Sequence, residues 1–433
     1  MASFLFSVWP FPGHFFPNIA VAECLLERHH EVAFFTGAKV MPILEKNGIA
    51  GFPFMEMVES DIDQLVWSQA GISGHRKNLL AYRRLLHQWL IGTIPQQISD
   101  LNIVLDKYCP DVLVTDPAMW APFLVLREIR NISVAVFSYT ASCMLPGPGI
   151  PLFGLGFPRP RHRVMHIIDK MAKIASTLFM KNAQREVNAL RKSFRLKPID
   201  RSVTEFASQM PLYLVPSIPE FDYQREDLPK SVHYVGPCLW DNGSLSSASL
   251  RLEALKKETS LVYISEGTLR SAEPFLLKTA IEAFSKTSIQ VVLTTGNHRD
   301  PDAVAAGNLS PNIHIERFVP LSKLLPYVDA VVTTGGSGTV LASLKAGVPV
   351  VVVPVEWDQP ENARRVADCG AGIRLPRGSC TSEKLRLSVD RLLTKPSFKK
   401  NAEKIANACK QYGGARQAAD LLAELANNVN ACL

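Results

Sequence analysis

The sequence lacks a long hydrophobic run, closely paired cysteines and any block of like charge. No stretch free of charges is long enough for a membrane-spanning helix, so we predict no transmembrane segment. The eight cysteines are scattered, and no two show the Cys-x-x-Cys spacing of a zinc or redox site. We therefore expect free thiols in a reducing cytoplasm, and no metal site.

Charge is also modest. The net charge is +7, from 47 basic and 40 acidic residues among 433. Without a basic block of five or six residues, the two short basic clusters, 159–163 and 399–404, are interpreted as solvated faces, so we predict no nucleic-acid partner. The apolar start "MASFLFSVWPFPG" lacks the basic residues that open a signal peptide, and proline interrupts it. It therefore indicates a first strand rather than a signal peptide.

Short apolar runs that alternate with helical spacing fill the chain and predict two α/β domains. The first unit is a strand at 3–8, a helix at 18–28 and a strand at 30–36, which is a βαβ unit with parallel strands. The pattern restarts after a Gly/Pro/Asn/Ser-rich stretch near 236–260. The predicted division is an N-terminal acceptor-binding domain, a linker, a C-terminal donor-binding domain and a final helix packing back toward the N-terminal domain, at 1–235, 236–260, 261–412 and 413–433. Both domains are predicted to be doubly wound and Rossmann-like, and to face each other across a cleft at the carboxyl ends of their strands.

One apolar stretch has no period. Residues 143–161, "CMLPGPGIPLFGLGFPRPR", interrupt a region that otherwise has helical spacing. Such a stretch is either a buried loop or a mobile apolar lid over a pocket, and the sequence leaves both open.

The stretch "TTGGSGT" (333–339) joins a predicted strand to a predicted helix. Its backbone N–H groups and the helix N-terminus favour an anion site, best suited to phosphate, in which Thr339 caps the helix or binds an oxygen. The alternative is a tight turn that needs glycine only for packing.

His14 and Asp116 are the candidate catalytic pair. His14 lies in the predicted loop after the first strand, and Asp116 ends another parallel strand, so both belong to the same edge of the sheet. An imidazole oriented by a carboxylate can accept a proton from a hydroxyl. The alternatives are a loop histidine satisfied by the backbone and an aspartate that caps a turn.

Residues 317–375 resemble the donor-binding signature of family 1 glycosyltransferases, the nucleotide-sugar-dependent enzymes of the GT-B fold. The matching pieces agree in order and spacing: Val319-Pro320, Gly335-Gly336, Gly338-Thr339, Gly347-Val348-Pro349, Pro354, Asp358-Gln359 and Asn362-Ala363. Weaker matches at 234–237, 262–268 and 413–425 extend the resemblance to nearly the whole chain.

The resemblance implies roles for specific residues. Phe318 would stack on the base, with Val319 beside it. Gly336, Ser337, Gly338 and Thr339 would hold the diphosphate, bordered by Gly267 and Thr268. Asp358 and Gln359 would bind the sugar hydroxyls. Three positions depart from the family pattern: Thr334 replaces a histidine that reaches the diphosphate, Ala342 a glutamate and Leu321 a glutamine.

The family places its general base and the partner acid at His14 and Asp116. The acceptor would lie against apolar residues of the N-terminal half, namely Phe11, Trp67, Met119, Trp120, Met144 and the loop 145–158. Ordinary core packing is the alternative for each of these side chains.

We therefore predict a cytoplasmic, inverting, metal-independent UDP-glycosyltransferase without a cofactor. Its co-substrate would be a nucleotide sugar, with UDP-glucose as the favoured donor. The sugar would be transferred to a hydroxyl of a small hydrophobic molecule. A dTDP-deoxysugar donor is one alternative, and a catalytically silent homologue that binds a metabolite or activates a partner is another. A nicotinamide dehydrogenase is excluded because no Gly-x-Gly-x-x-Gly occurs: the third glycine position after Gly336 and Gly338 is Leu341. The sequence makes no prediction of oligomeric state.

Overall fold

Two parallel β-sheets organise the computed structural model, which describes residues 1–70, 83–138, 145, 147–240, 259–267, 273–296, 299–305 and 309–430. Within these residues the N-terminal sheet consists of β1 (Ser3–Ser7), β2 (Glu31–Thr36), β3 (Ala50–Pro53), β4 (Val112–Thr115), β5 (Ser133–Phe137), β6 (Leu212–Val215) and β7 (Val232–Tyr234). The C-terminal sheet consists of β8 (Leu261–Ser265), β9 (Gln290–Thr294), β10 (Ile313–Glu316), β11 (Ala330–Thr333), β12 (Val350–Val352) and β13 (Gly372–Arg374).

Helices cover both sheets. Their bounds are Pro12–Leu26, Met41–Lys46, Glu59–Ala70, Ile94–Tyr108, Arg127–Ile129, Arg163–Ser193, Val203–Ala207, Phe275–Phe284, Pro301–Ala305, Leu321–Leu324, Ser337–Lys345, Gln359–Asp368, Ser382–Thr394, Pro396–Cys409 and Ala415–Asn430. π-Helical segments run over Leu86–Ile91 and Pro122–Leu126, and 3₁₀ turns over Ala38–Val40, Leu325–Tyr327 and Arg377–Ser379. No helix among the described residues is both long and apolar enough to span a bilayer.

Each sheet is buried on both faces, which explains why its strands are nearly continuous apolar runs. In β1, Leu5 belongs to one core cluster, while Phe4 and Phe6 belong to the cluster on the opposite face. In β11, Val331 packs into one cluster of the C-terminal domain and Val332 into the other. The alternation follows from the period of two along a strand.

Both sheets are doubly wound, which confirms the predicted fold class. The strand orders are β3-β2-β1-β4-β5-β6-β7 and β10-β9-β8-β11-β12-β13, and every pair is parallel. The direction of winding reverses between β1 and β4 in the first sheet and between β8 and β11 in the second. Ligands bind such sheets at these reversal points, beyond the carboxyl ends of the strands.

The last helix returns to the N-terminal domain. In Ala415–Asn430, the side chains of Ala418, Leu422 and Ala426 are buried in the same cluster as Phe15 of the first helix. The division of the chain at 235, 260 and 412 stays a prediction, and residues 241–258 of the predicted linker lie outside the described residues.

Candidate active site

His14 and Asp116 meet at the reversal point of the N-terminal sheet. His14 Nδ1 lies 2.5 Å from Asp116 Oδ2, and Asp116 Oδ1 accepts a hydrogen bond of 2.7 Å from the Ala118 N–H. The Asp116 side chain is 1% exposed and that of His14 15% exposed. The carboxylate therefore holds Nδ1, and Nε2 is left as the ring nitrogen that can accept a proton.

The prediction that His14 lies in a loop was wrong. The helix Pro12–Leu26 begins six residues earlier than its apolar spacing indicated, and His14 lies in its first turn. Pro12 is well suited to this start, because a proline lacks the N–H that the first helical position leaves unpaired. The helix thus fixes the backbone of the histidine, and β4 fixes that of Asp116.

Phe11 forms a wall beside the histidine. Its ring makes an edge contact with the His14 ring at 5.5 Å between centroids, and another with Trp89 at 5.9 Å. Met119 and Trp120 lie deeper, at 0% and 2% exposure, so they pack in the core and do not line an open surface in this structure. Trp120 Nε1 donates to the Pro117 carbonyl oxygen. The side chain of Trp67 and residue Met144 lie outside the described residues.

The glycine loop follows β11 at the reversal point of the second sheet. Gly335 has φ +102°, and a Cβ there would lie 2.5 Å from Val352 Cγ1, so this glycine is required by backbone and packing. A Cβ at Gly336 or Gly338 would meet no atom within 4 Å. These two glycines therefore leave open space in front of the N-terminus of the helix Ser337–Lys345, where the first N–H groups have no partner within the helix.

The helix begins without a side-chain cap. Gly336 occupies the capping position, so the prediction that Thr339 might cap this helix was wrong, and Thr339 is its third residue. Gly267, with φ +69°, lies across the loop, and a Cβ on it would be 3.9 Å from Thr334 Oγ1. Thr268 lies outside the described residues.

Thr334 joins three loops by hydrogen bonds. Its hydroxyl donates to the Glu266 carbonyl oxygen at 2.9 Å and lies 3.5 Å from Gln359 Nε2, which can donate to it. The residue is 4% exposed. In this structure the single proton of the hydroxyl is therefore used inside the protein rather than offered to a phosphate.

The two predicted sugar-binding residues are also engaged. Asp358 Oδ2 accepts hydrogen bonds from Ser337 Oγ at 2.5 Å and Asn362 Nδ2 at 2.8 Å. Gln359 Oε1 accepts the Val355 N–H at 2.8 Å, which shapes the loop before the helix. Burial raises the pKa of Asp358, and the hydrogen bonds from Ser337 and Asn362 act in the opposite direction.

The predicted base-stacking position is only partly enclosed. Phe318 is half-buried after β10, while Val319 is 2% exposed and belongs to the C-terminal core. Val319 therefore supports the loop from within.

The two half-sites face each other. The first helix, which carries His14, contacts the helix Ser337–Lys345, whose first residue bonds Asp358, so the proposed base and the proposed sugar-binding carboxyl lie on facing walls of one cleft. The Trp89 and Trp357 rings meet across the domains at 5.9 Å. Trp357 has φ +58°, a conformation that costs a non-glycine residue on the order of 1 kcal/mol or more. Sequence reasoning missed both tryptophans, because Trp89 lies outside the stretch that carries the resemblance and Trp357, within it, is not among the matching pieces.

The loop before the long helix docks on the C-terminal domain. Glu361 Oε1 accepts the Gly156 N–H at 2.7 Å, and Arg374 Nη1 donates to the Gly156 carbonyl oxygen at 2.8 Å. Gly156 has φ +58°, and a Cβ there would lie 2.6 Å from the Pro360 carbonyl oxygen. At Gly156 the described part of the stretch 143–161 thus packs against the helix Gln359–Asp368, and residues 143, 144 and 146 lie outside the described residues. Glu361 and Arg374 gave no signal in the sequence.

Among the described residues, no three His, Cys, Asp or Glu side chains lie close enough together to hold a metal ion.

Comparisons with known proteins agree with this architecture. The model of the erythromycin biosynthesis protein CIII-like C-terminal domain matches residues 279–422. A 4'-demethylrebeccamycin synthase from Lentzea aerocolonigenes is 28% identical over 426 residues, covering 97% of this chain and 99% of that protein. A demethyllactenocin mycarosyltransferase from Streptomyces fradiae is 26% identical over 429 residues, covering 98% of this chain and 86% of that protein. The crystal structure of the glycotransferase of kitacinnamycin superposes with a TM-score of 0.74 at 22% identity, covering 98% and 99% of the two chains.

The two facing doubly wound domains define a GT-B protein. Within that fold, the chain is similar to family 1 glycosyltransferases of the macrolide type, in agreement with its motifs between residues 317 and 375.

Proposed function

We propose that this chain is an inverting, metal-independent glycosyltransferase that uses no cofactor and moves glucose from UDP-glucose to a hydroxyl of a small hydrophobic acceptor. The observation that carries the proposal is the His14–Asp116 hydrogen bond of 2.5 Å, on the wall of the cleft that faces Asp358. Two relatives named for natural products support an acceptor of that kind. The aromatic rings of Phe11, Trp89 and Trp357 around the cleft favour an apolar aglycone.

The proton transfer follows from the geometry of the pair. Asp116 accepts a hydrogen bond from the Nδ1–H of His14, so Nε2 takes the proton of the acceptor hydroxyl as its oxygen attacks the anomeric carbon. Asp116 remains ionised and stabilises the imidazolium that forms. A positioned general base of this kind contributes about 10²–10⁴ to the rate.

The leaving group departs on the opposite face of the sugar. The bond between the anomeric carbon and the diphosphate oxygen breaks, and its electron pair goes to the nucleoside diphosphate. The unpaired N–H groups at the start of the helix Ser337–Lys345 stabilise that charge, and the open space at Gly336 and Gly338 lets the diphosphate approach them.

One observation favours a second donor, a dTDP-deoxysugar. Asp358 Oδ2 and Gln359 Oε1 already accept hydrogen bonds within the protein, which leaves fewer acceptors for the hydroxyls of a fully hydroxylated sugar. A mycarosyltransferase among the relatives points the same way.

Turnover by the purified full chain tests the proposal. UDP-glucose and dTDP-rhamnose are each incubated with a panel of hydrophobic polyphenols and macrolactones, and glycosides are detected by mass spectrometry. We expect one donor to give product, and His14→Gln to lower kcat by about 10²–10⁴ with little change in nucleotide affinity. His314→Gln is the control, because His314 lies on β10, away from the cleft, and bonds only Gln290 among the described residues.

Two results would contradict the proposal. If His14→Gln turns over as fast as the unmodified chain, His14 is not the base. If calorimetry detects neither UDP nor dTDP binding and no donor is turned over, the silent-homologue alternative replaces the enzyme.

A further inference from the structure

The first half of the helix Arg163–Ser193 carries large apolar side chains on its outside. Six of them are between 53% and 66% exposed, and we call them the apolar stripe: Val164, Ile167, Ile168, Met171, Ile174 and Leu178. The buried residues of this helix, Ala183, Val187 and Arg191, all lie in its second half. The first half therefore projects its apolar side chains away from the core.

The stripe lies on one face. Steps of three, four and seven residues bring side chains to the same side of an α-helix, and the spacing from Val164 to Leu178 follows these steps. At a rise of 1.5 Å per residue, the stripe is roughly 20 Å long. Soluble monomers rarely expose a contiguous apolar surface without a binding role, so this face is expected to be covered by something.

The side chains around the stripe are mostly basic, which favours an anionic partner. Residues 159–185 contain seven basic residues and one acidic residue, and the next acidic residue, Glu186, lies beyond the stripe. The acidic residue, Asp169, pairs with Lys173 at 2.7 Å. Arg163, Lys170 and Lys181 are exposed and fall within about 20° of one another around the helix, along one border of the stripe.

We propose that the apolar stripe and its basic border dock on the surface of a lipid bilayer that contains anionic headgroups. A helix with an apolar face, a basic border and few acidic residues lies in the plane of the interface, with its apolar side chains among the acyl chains. A second copy of this chain is a poorer occupant, because a two-fold interface would bring two basic borders together. The basic cluster 159–163, which the sequence alone led us to interpret as a solvated face, becomes part of this surface.

The surface is connected to the cleft through the loop that precedes the helix. Lys173 Nζ donates to the Gly147 carbonyl oxygen at 3.1 Å, and Gly156 is held by Glu361 and Arg374 next to the proposed sugar-binding residues. Docking therefore places the loop that borders the cleft near the membrane. If the proposed function holds, and only then, the acceptor is a hydrophobic molecule that enters from the bilayer.

Vesicle flotation with the purified full chain tests the docking independently of turnover. Vesicles of phosphatidylcholine alone are compared with vesicles of equal parts phosphatidylcholine and phosphatidylglycerol. We expect binding to the anionic vesicles only, weakened by salt. Ile167→Ser/Met171→Ser should lower it by about tenfold, and Lys170→Glu/Lys181→Glu by at least about tenfold.

Matched controls come from another exposed region. Leu387 is 49% exposed and Lys400 is also exposed, both on C-terminal helices, so Leu387→Ser and Lys400→Glu should float like the unmodified chain. Nucleotide binding by each variant reports an intact fold.

The proposal is overturned if the unmodified chain does not float with anionic vesicles at low ionic strength, or if the stripe variants float equally well. It is also overturned if the chain is a dimer in solution that Ile167→Ser/Met171→Ser converts to a monomer, because a second copy then covers the stripe. If the unmodified chain floats with anionic vesicles but turns over none of the donors, the proposed function alone is contradicted.

Discussion

Glu356 lies beside the proposed sugar-binding residues with a carboxyl group that is hard to ionise. Its Oε1 is buried without a hydrogen-bond partner among the described residues. Burial raises the pKa of Glu356 from 4.5 to about 7, although the charge of Arg377 acts in the opposite direction. A carboxyl group with a raised pKa binds its proton more tightly in the folded state than in the unfolded chain.

This difference gives stability a defined dependence on pH. Between pH 4.5 and about 7 the folded state holds the Glu356 proton and the unfolded chain does not, so this residue lowers the free energy of unfolding as pH rises through that window. Above pH 7 both states are ionised and the loss is complete. We expect Glu356→Gln to be more stable than the unmodified chain above pH 7, by at most about 3 kcal/mol, with the difference vanishing below pH 5.

Urea denaturation of both proteins at a series of pH values measures the difference. Glu424→Gln serves as the control, because Glu424 is exposed on the last helix and its replacement should give no difference in this window. If the gap between Glu356→Gln and the unmodified chain is the same at pH 5 and pH 8, burial of the carboxyl group is not its cause.

The donor loop shows that glycines close in sequence serve different needs. Gly335 has no room for a Cβ beside Val352, whereas Gly338 faces open space within the first turn of the helix Ser337–Lys345. A glycine that is required for packing and one that is required for a ligand should therefore respond differently to the same substitution.

We expect Gly338→Ala to keep or raise stability, because alanine favours a helix by about 1 kcal/mol relative to glycine. The added methyl group blocks the approach of a diphosphate to the backbone N–H groups, so affinity for UDP or dTDP should fall by at least about tenfold. Thermal unfolding and calorimetric titration measure the two effects separately.

Gly335→Ala is the matched comparison. Its φ of +102° and the 2.5 Å approach to Val352 predict a lower melting temperature even without nucleotide. Nucleotide binding by Gly338→Ala that equals that of the unmodified chain would show that the diphosphate does not lie over this turn.

Regular elements were predictable from the sequence, and long-range contacts were not. Apolar runs such as β1 and β11 specify buried parallel strands, and the glycine stretch specifies a strand–helix turn, because these patterns are local. The start of the first helix was misplaced, since "PFPGHFFP" has no apolar period and its helical conformation depends on Pro12 at the first position. The bond from Thr334 to Glu266 joins residues 68 positions apart, which no local pattern reveals.

A buried ion pair lies between the two domains. After β6 the chain crosses to the C-terminal domain, where Ile218 and Phe221 belong to its core cluster. Arg365 Nε lies 3.0 Å from Asp222 Oδ1, with side-chain exposures of 1% and 0%, and Asp222 Oδ2 accepts a hydrogen bond of 2.6 Å from the Tyr234 hydroxyl. Arg365 is on the helix that begins with Gln359, so the pair couples domain packing to the donor-binding wall.

Neutralising one partner should be costly. Asp222→Asn leaves the Arg365 charge buried without its counter-charge, and we expect a loss of about 3–5 kcal/mol in the free energy of unfolding. The double variant Asp222→Asn/Arg365→Met removes both charges and should recover much of that loss, because two charges no longer have to be buried.

Urea denaturation of the two variants, followed by nucleotide titration, measures stability and the coupling to the donor wall together. Asp300→Asn is the comparison, because Asp300 pairs with Arg317 at the surface with both side chains about half exposed, and such pairs contribute little. We expect Asp222→Asn to weaken nucleotide binding as well, since the helix that carries Arg365 also positions Gln359. A variant that is destabilised but binds nucleotide normally would mean that this ion pair stabilises the domain interface without supporting the donor site.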